Sequence, residues 1–153
     1  MIFEVAVKRL LSIALLAFVS VAVFGQGGNP QIPAYHKTAP SKAEKLPPIL
    51  PEEQLWGPSF QYPVQKRAYI LASKIDKVLY QQPCYCFCDR SVGHHSLRSC
   101  YESTHAAHCD ACMKELFYSY QQTKAGKTPA QIRAAIMKGE WKKIDLNQAA
   151  SME

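Results

Sequence analysis

The sequence predicts a mainly α-helical domain of three to four short helices around a Cys-rich loop, preceded by a signal peptide and a Pro-rich spacer. Three observations carry this. Apolar residues recur at spacings of three and four in the stretches after residue 63, and no period-two run of useful length interrupts them. Eight of the ten prolines fall between residues 26 and 63. All six cysteines and four of the five histidines lie between Cys84 and Cys112. A chain of 153 residues has room for one domain. A polytopic membrane protein and a large enzyme with a deep core are excluded.

The chain opens as a secretory signal. Lys8 and Arg9 precede an apolar run from Leu10 to Phe24, and Val23-Phe24-Gly25 resembles a cleavage site before Gln26. The run is shorter than the ~20 apolar residues a spanning helix needs. The expected organisation is therefore signal peptide (1–25), Pro-rich linker (26–61), Cys-rich helical domain (62–141) and tail (142–153). Export places the protein in the periplasm or outside the cell, with a membrane tether only where the signal stays uncut. No Cys near the cut supplies a lipid anchor.

The formal charge is +6, and loss of Glu4, Lys8 and Arg9 with the signal leaves +5. Basic residues are dispersed, without the clustered stripe and interleaved aromatics of a nucleic-acid binder, so nucleic acid is not an expected partner. In the linker, proline fixes φ and removes a donor, which forbids a long helix or central strand. Residues 26–45 read as a flexible spacer with polyproline character. Trp56, Phe60 and Tyr62 are expected to dock their rings on the domain.

Helical patterning starts at Val64. Val64, Ala68, Leu71, Ile75 and Val78 form one stripe of a helix of roughly 16 residues, which Pro83 ends. A short helical turn is predicted at 96–101. The next long helix runs from Asp110 to Ala125, with Cys109, Cys112, Met113, Leu116, Phe117 and Tyr120 on one stripe and Gly126 past its end. A last helix starts at Thr128-Pro129-Ala130-Gln131, where Thr N-cap, Pro at N1 and Gln at N3 make a capping box. Ile132 and Ile136 face inward, Gly139 ends the helix, and the tail beyond Trp141 is expected to fray. A domain of about 80 residues needs a staple such as disulfides or a metal.

The chemistry sits in Cys84-Tyr85-Cys86-Phe87-Cys88, Gly93-His94, Cys100 and Cys109-Asp110-Ala111-Cys112. In an extended loop, alternate residues share a side, so three sulfurs could converge. Soft thiolates suit Cu(I) and Zn²⁺. Cys109-x-x-Cys112 sits at a helix start, where unpaired N–H groups favour the thiolate. The candidate metal ligands are Cys84, Cys86, Cys88, Cys100, Cys109, Cys112 and His94. His105 and His108 are secondary ligand candidates that read more readily as exposed, Met113 reads as core rather than as a soft ligand, and Tyr85 and Phe87 as core or as shields of the sulfurs. Arg90, Arg98 and Lys114 stand close enough in sequence to offset thiolate charge.

Three readings stay open for the thiols. Metal ligation, of copper(I) or zinc, makes the chain a non-enzymatic metal-handling protein whose partner is an ion, with an exported protein partner as a further option. Three disulfides make it a stapled interaction module, since six is an even number in an exported domain. A redox pair at Cys109 and Cys112 makes it a thiol oxidoreductase, though the expected βαβ context is missing. Haem attachment, phosphate-loop chemistry and hydrolase chemistry lack their motifs.

From about Tyr62 to Trp141 the chain resembles the bacterial exported proteins named for a Pro-Cys-Tyr-Cys-Gly-Cys motif, a family of unknown function. The residues that carry the likeness are Pro83-Cys84-Tyr85-Cys86-Phe87-Cys88, Gly93-His94, Ser96-Leu97, Cys100, Cys109-x-x-Cys112 and Gly126-Lys127-Thr128. The resemblance implies an exported, Cys-rich, metal-handling module without an assigned activity. Phe87 stands where the family has Gly, which predicts loss of a φ > 0 conformation in the loop. The lipid-anchor Cys of Gram-positive members is absent.

Overall fold

A computed structural model describes residues 31–152 of the chain; the predicted signal segment lies outside the described residues. Six α-helices and no strand are present among them. In chain order they are α1 (Pro63–Lys74), α2 (Asp76–Leu79), α3 (Cys88–Ser91), α4 (Asp110–Lys124), α5 (Pro129–Met137) and α6 (Leu146–Ala149). Short 3-10 turns at Leu97–Tyr101 and Thr104–His108 bridge α3 to α4. None of these helices is long and apolar enough to cross a membrane.

The helix α4 is the axis of the fold. Its apolar stripe, Cys112, Met113, Leu116, Phe117 and Tyr120, packs against Ala68, Leu71 and Ala72 of α1 and against Leu97 and Tyr101. Burying each large side chain contributes about 1.5–3 kcal/mol, so this stripe is the main source of stability. A smaller apolar group of Ile132, Ile136 and Trp141 seats α5 beside Val78, Tyr85 and Tyr118. The predicted capping box holds there: Gln131 N donates to Thr128 Oγ1 (3.3 Å) and Thr128 N to Gln131 Oε1 (2.9 Å).

The single long first helix is corrected to two. Ile75 leaves the helical region at φ −128°, ψ 28°, and Asp76 starts a new turn by accepting Lys77 N at 2.7 Å. The break keeps Ile75 and Leu79 in the same core as Leu71. The tail is corrected too. Glu140–Lys143 is a 3-10 turn, Asp145 caps α6 through Asn147 N, Ala149 is buried, and Arg67 Nε bonds Met152 O.

Residues 34–50 carry no helix but lie against the helical body. Ala34 N donates to Asp89 Oδ2 (3.0 Å), the His36 ring stacks on Tyr80 (3.8 Å), and Tyr80 Oη donates to Glu44. Pro47 O accepts from Arg98 Nη2 (2.8 Å), and Leu50 N donates to Tyr101 O (3.0 Å). The flexible-spacer expectation does not describe these residues. Of the three linker rings only Phe60 docks, edge-on to Tyr69 at 5.1 Å; Trp56 and Tyr62 are exposed.

Candidate metal centre

Two bonded frames bring the cysteines together. Tyr101 Oη donates to Cys112 O (2.8 Å), fixing the Cys100 turn on α4. Gln65 Nε2 donates to Ala107 O (2.9 Å), Tyr69 Oη donates to Ser103 O (2.6 Å), and Ala107 N donates back to Tyr69 Oη (3.3 Å). These bonds tie the Thr104–His108 turn to α1. Cys109 follows in extended conformation as the N-cap of α4. A continuous helical face through His105, His108, Cys109 and Cys112 therefore does not form.

The Cys-x-Cys-x-Cys segment is not extended, which corrects a further expectation. Phe87 N donates to Cys84 O (3.0 Å), closing a tight turn, and α3 starts at Cys88. Phe87 sits between them at φ +56°, ψ 31°, the one left-handed non-glycine residue among those described. The loop thus keeps the φ > 0 conformation that the Gly-to-Phe departure was expected to remove. That conformation costs an L-residue roughly 1–2 kcal/mol. The ring offsets part of it by edge contact with Tyr85 (5.8 Å) and by lying under Arg90 (4.2 Å).

The turn divides the three sulfurs. Cys84 Sγ lies 3.3 Å from Cys86 Sγ and 3.3 Å from Cys112 Sγ, and Cys86 Sγ lies 3.6 Å from Cys112 Sγ. Cys88 Sγ instead lies 3.4 Å from Cys100 Sγ, and His94 Nδ1 is 3.1 Å from Cys88 Sγ and 3.3 Å from Cys100 Sγ. The two groups adjoin: the sulfurs of Cys84, Cys86, Cys88 and Cys100 all lie within 4.8 Å of one another. Cys109 is half-buried and lines the same surface depression as Cys86 and Cys88.

None of the six cysteines forms a disulfide. Their spacings far exceed the ~2.05 Å of a sulfur–sulfur bond. They suit ligation instead. A tetrahedral ion with Zn–S near 2.3 Å sets its sulfurs about 3.8 Å apart. The donor set, thiolate and imidazole around a buried point, fits a soft or borderline metal ion.

Proximity splits the thiol titrations. Hydrogen bonds from Cys100 and its neighbours hold Cys86 well below the ordinary thiol range, and bonds from Cys112 and Cys84 bring Cys100 down to about 3. Hydrogen bonding to Cys100 pushes Cys112 and Cys84 up, aided by burial. At Cys109 the bond to Cys112 lowers the pKa, but Cys86 and burial outweigh it. The thiolate-favouring helix start predicted for Cys109 and Cys112 is thus overridden by neighbouring sulfurs. A hydrogen bond to Cys100 raises His94, against burial.

The sequence favoured exposure for His105, a secondary ligand candidate, and passed over Glu115. His105 is half-buried, its ring 4.8 Å from that of His94, and it groups with Cys88, His94 and Cys100 within 4.8 Å. Glu115 is fully buried; Oε1 accepts Tyr85 N at 2.8 Å, and Oε2 has no hydrogen-bond partner. Burial raises its pKa to about 8. A charged residue three places after Cys112, on the packed side of α4, was the available signal. His95 and His108 are exposed, and His108 Nε2 pairs with Ser59 Oγ (2.9 Å). Met113 is core. Arg98 is committed to Glu102 and Pro47 rather than to the thiolates.

An open depression of about 340 Å³ reaches the cluster, lined by Cys86, Cys88, Ser91, His105, His108 and Cys109. No curated protein and no solved structure matches the chain. A family model described as a protein of unknown function with PCYCGC motif matches residues 41–143, beginning in the docked Pro-rich stretch rather than at Tyr62. With the motif turn, the cluster it builds and most of the described fold inside that match, the chain belongs to the PCYCGC-motif family.

Proposed function

We propose that this protein is an exported, non-catalytic metal-binding domain that handles Cu(I) or Zn²⁺. One observation carries the reading: five of the six free cysteines and two histidines form overlapping donor sets within 4.8 Å, and Cys109 lines the depression that opens onto them. Burying that many polarisable, ionisable groups without a shared ion is costly. A bound cation offsets the cost and staples a small domain. The apolar run Leu10 to Phe24 behind Lys8 and Arg9 supports export.

Copper(I) is favoured by the thiolate excess, zinc by the histidines. The thiol-exchange alternative ranks behind metal binding, because Cys112 lies 3.3 Å from Cys84 and 3.6 Å from Cys86 and so belongs to a larger sulfur cluster rather than to an isolated pair. Anaerobic titration with Cu(I) against a chromophoric chelator, with elemental analysis and thiol counting on the same sample, tests the reading. Competition with the chelator and six free thiols after denaturation are expected. Three disulfides and no bound metal would end it.

A further inference from the structure

We infer that the cluster is two adjoining four-donor centres, an all-thiolate one of Cys84, Cys86, Cys109 and Cys112 and a mixed one of Cys88, Cys100, His94 and His105. This rests on the metal-binding reading and adds the number of ions and the donors of each.

Distances divide the donors. Within the first group the three measured sulfur gaps are 3.3, 3.3 and 3.6 Å, and Cys109, the N-cap of α4 that also carries Cys112, lines the same depression as Cys86. Within the second, His94, Cys88 and Cys100 are separated by 3.1–3.4 Å, and His105 completes a set within 4.8 Å. Four thiolates, and two thiolates with two imidazoles, are both complete donor sets for a tetrahedral ion. Backbone geometry explains the division. The Cys84–Phe87 turn and the left-handed Phe87 send Cys84 and Cys86 towards α4, while Cys88 starts α3. Gly93, at φ +73°, then returns His94 to Cys88.

Two donor sets cross this division, Cys84 with Cys86, Cys88 and Cys100, and Cys86 with Cys100, His105 and Cys112, each within 4.8 Å, and a single ion held by either is the competing arrangement. The first strands Cys112, fully buried and 3.3 Å from Cys84, the second strands Cys84 and Cys88, and both strand His94, 3.1 Å from Cys88. Two centres use all eight donors. Charge agrees: two thiolates and two neutral imidazoles balance a divalent ion, so only the all-thiolate centre carries excess negative charge. That matters where Arg98 is already paired with Glu102.

The test is anaerobic loading of the full chain with zinc for elemental analysis, and with cadmium for cadmium NMR. Two ions per chain and two separate resonances, one in the all-sulfur range and one in the mixed range, are expected. The double variant His94→Ala, His105→Ala should fall from two ions to one and lose only the mixed resonance. Cys109→Ser with Cys112→Ser should lose only the all-sulfur one. One ion per chain, or two ions in a single kind of environment, overturns the two-centre assignment and leaves metal binding standing. No bound ion removes the metal-binding reading itself, and the assignment with it. Should either variant fail to fold, the ion count and resonances of the unmodified chain decide.

Discussion

His94 Nδ1 lies 3.1 Å from Cys88 Sγ although the chain between them makes a one-turn helix and a reversal. Gly93 makes the reversal at φ +73°, and a Cβ there would meet no atom within 4 Å. Any cost of substitution is therefore backbone strain, not collision. Gly93→Ala should lose about 1–2 kcal/mol in urea denaturation, and Gly93→Asn less, because Asn tolerates the left-handed region. Zinc competition should weaken in the same order, since His94 is displaced with the turn. Equal stability for all three would show that the reversal is not strained.

Phe87 presents the opposite situation, a bulky residue in a glycine's conformation. Phe87→Gly relieves the left-handed strain but loses the contacts with Tyr85 and Arg90. Phe87→Ala loses the contacts and keeps the strain. The Ala variant should fall below the Gly variant by about 1 kcal/mol, a reversal of the usual Ala-over-Gly order. Thermal denaturation of the pair reads this directly. An Ala variant at least as stable as the Gly variant would contradict a left-handed Phe87.

The helices were legible because their signals are local. The α4 stripe, its Gly126 terminus and the Thr128 capping box each depend on neighbours within a few positions, and each stands where the pattern put it. The gathering of the cysteines was legible from their confinement to one short stretch. Their division was not, because it turns on the conformation of Phe87, a residue whose type argues against a left-handed backbone. His105 ranked behind the other ligand candidates, since its burial is set by bonds from Gln65 and Tyr69 on α1, far away in sequence. Proline content misled at residues 34–50. It correctly excluded helix, but it says nothing of whether an extended segment docks.

Glu115 holds the motif turn from below. Its Oε1 accepts Tyr85 N, the amide between two candidate ligands. Glu115→Ala would leave that amide unsatisfied over a cavity, a loss of about 2–4 kcal/mol. Glu115→Gln keeps an acceptor of the same shape and should stay within about 1 kcal/mol of the parent. Metal affinity should drop roughly 10–100-fold in the Ala variant alone, as for lost supports of other ligand shells. Denaturation and chelator competition on both variants check the contrast, and similar losses for Gln and Ala would refute the acceptor role.

The strap of residues 34–50 hangs on Tyr80. Its hydroxyl donates to Glu44 while its ring carries His36. Tyr80→Phe keeps the stack and removes the bond, for about 1 kcal/mol. Trypsin should then cut faster after Lys42 or Lys45, which an unchanged digestion rate would disprove. The bond to Glu44 raises the Tyr80 pKa to about 12. Because the neutral hydroxyl is the donor, and the unfolded pKa is near 10, the tether is fully present below about pH 10. It is lost as pH climbs through about 12.

Access to the thiols is uneven, and that gives a chemical signature of the site. Cys86 and Cys109 are half-buried and line the open depression, whereas Cys84, Cys100 and Cys112 are buried away from it. Cys88 also lines the depression but is 2 % exposed. An alkylating reagent added to metal-free protein should modify Cys86 and Cys109 first, read by mass spectrometry of the peptides that contain them. The buried four should follow only as the domain opens, at a rate that denaturant accelerates. Metal should protect all six together, because a ligated thiolate is neither free nor exposed and because the ion stabilises the fold in proportion to its occupancy. Removing the ion with a chelator should restore the two-phase pattern. Uniform labelling of all six in the metal-free chain would mean that the cluster is open without its ion.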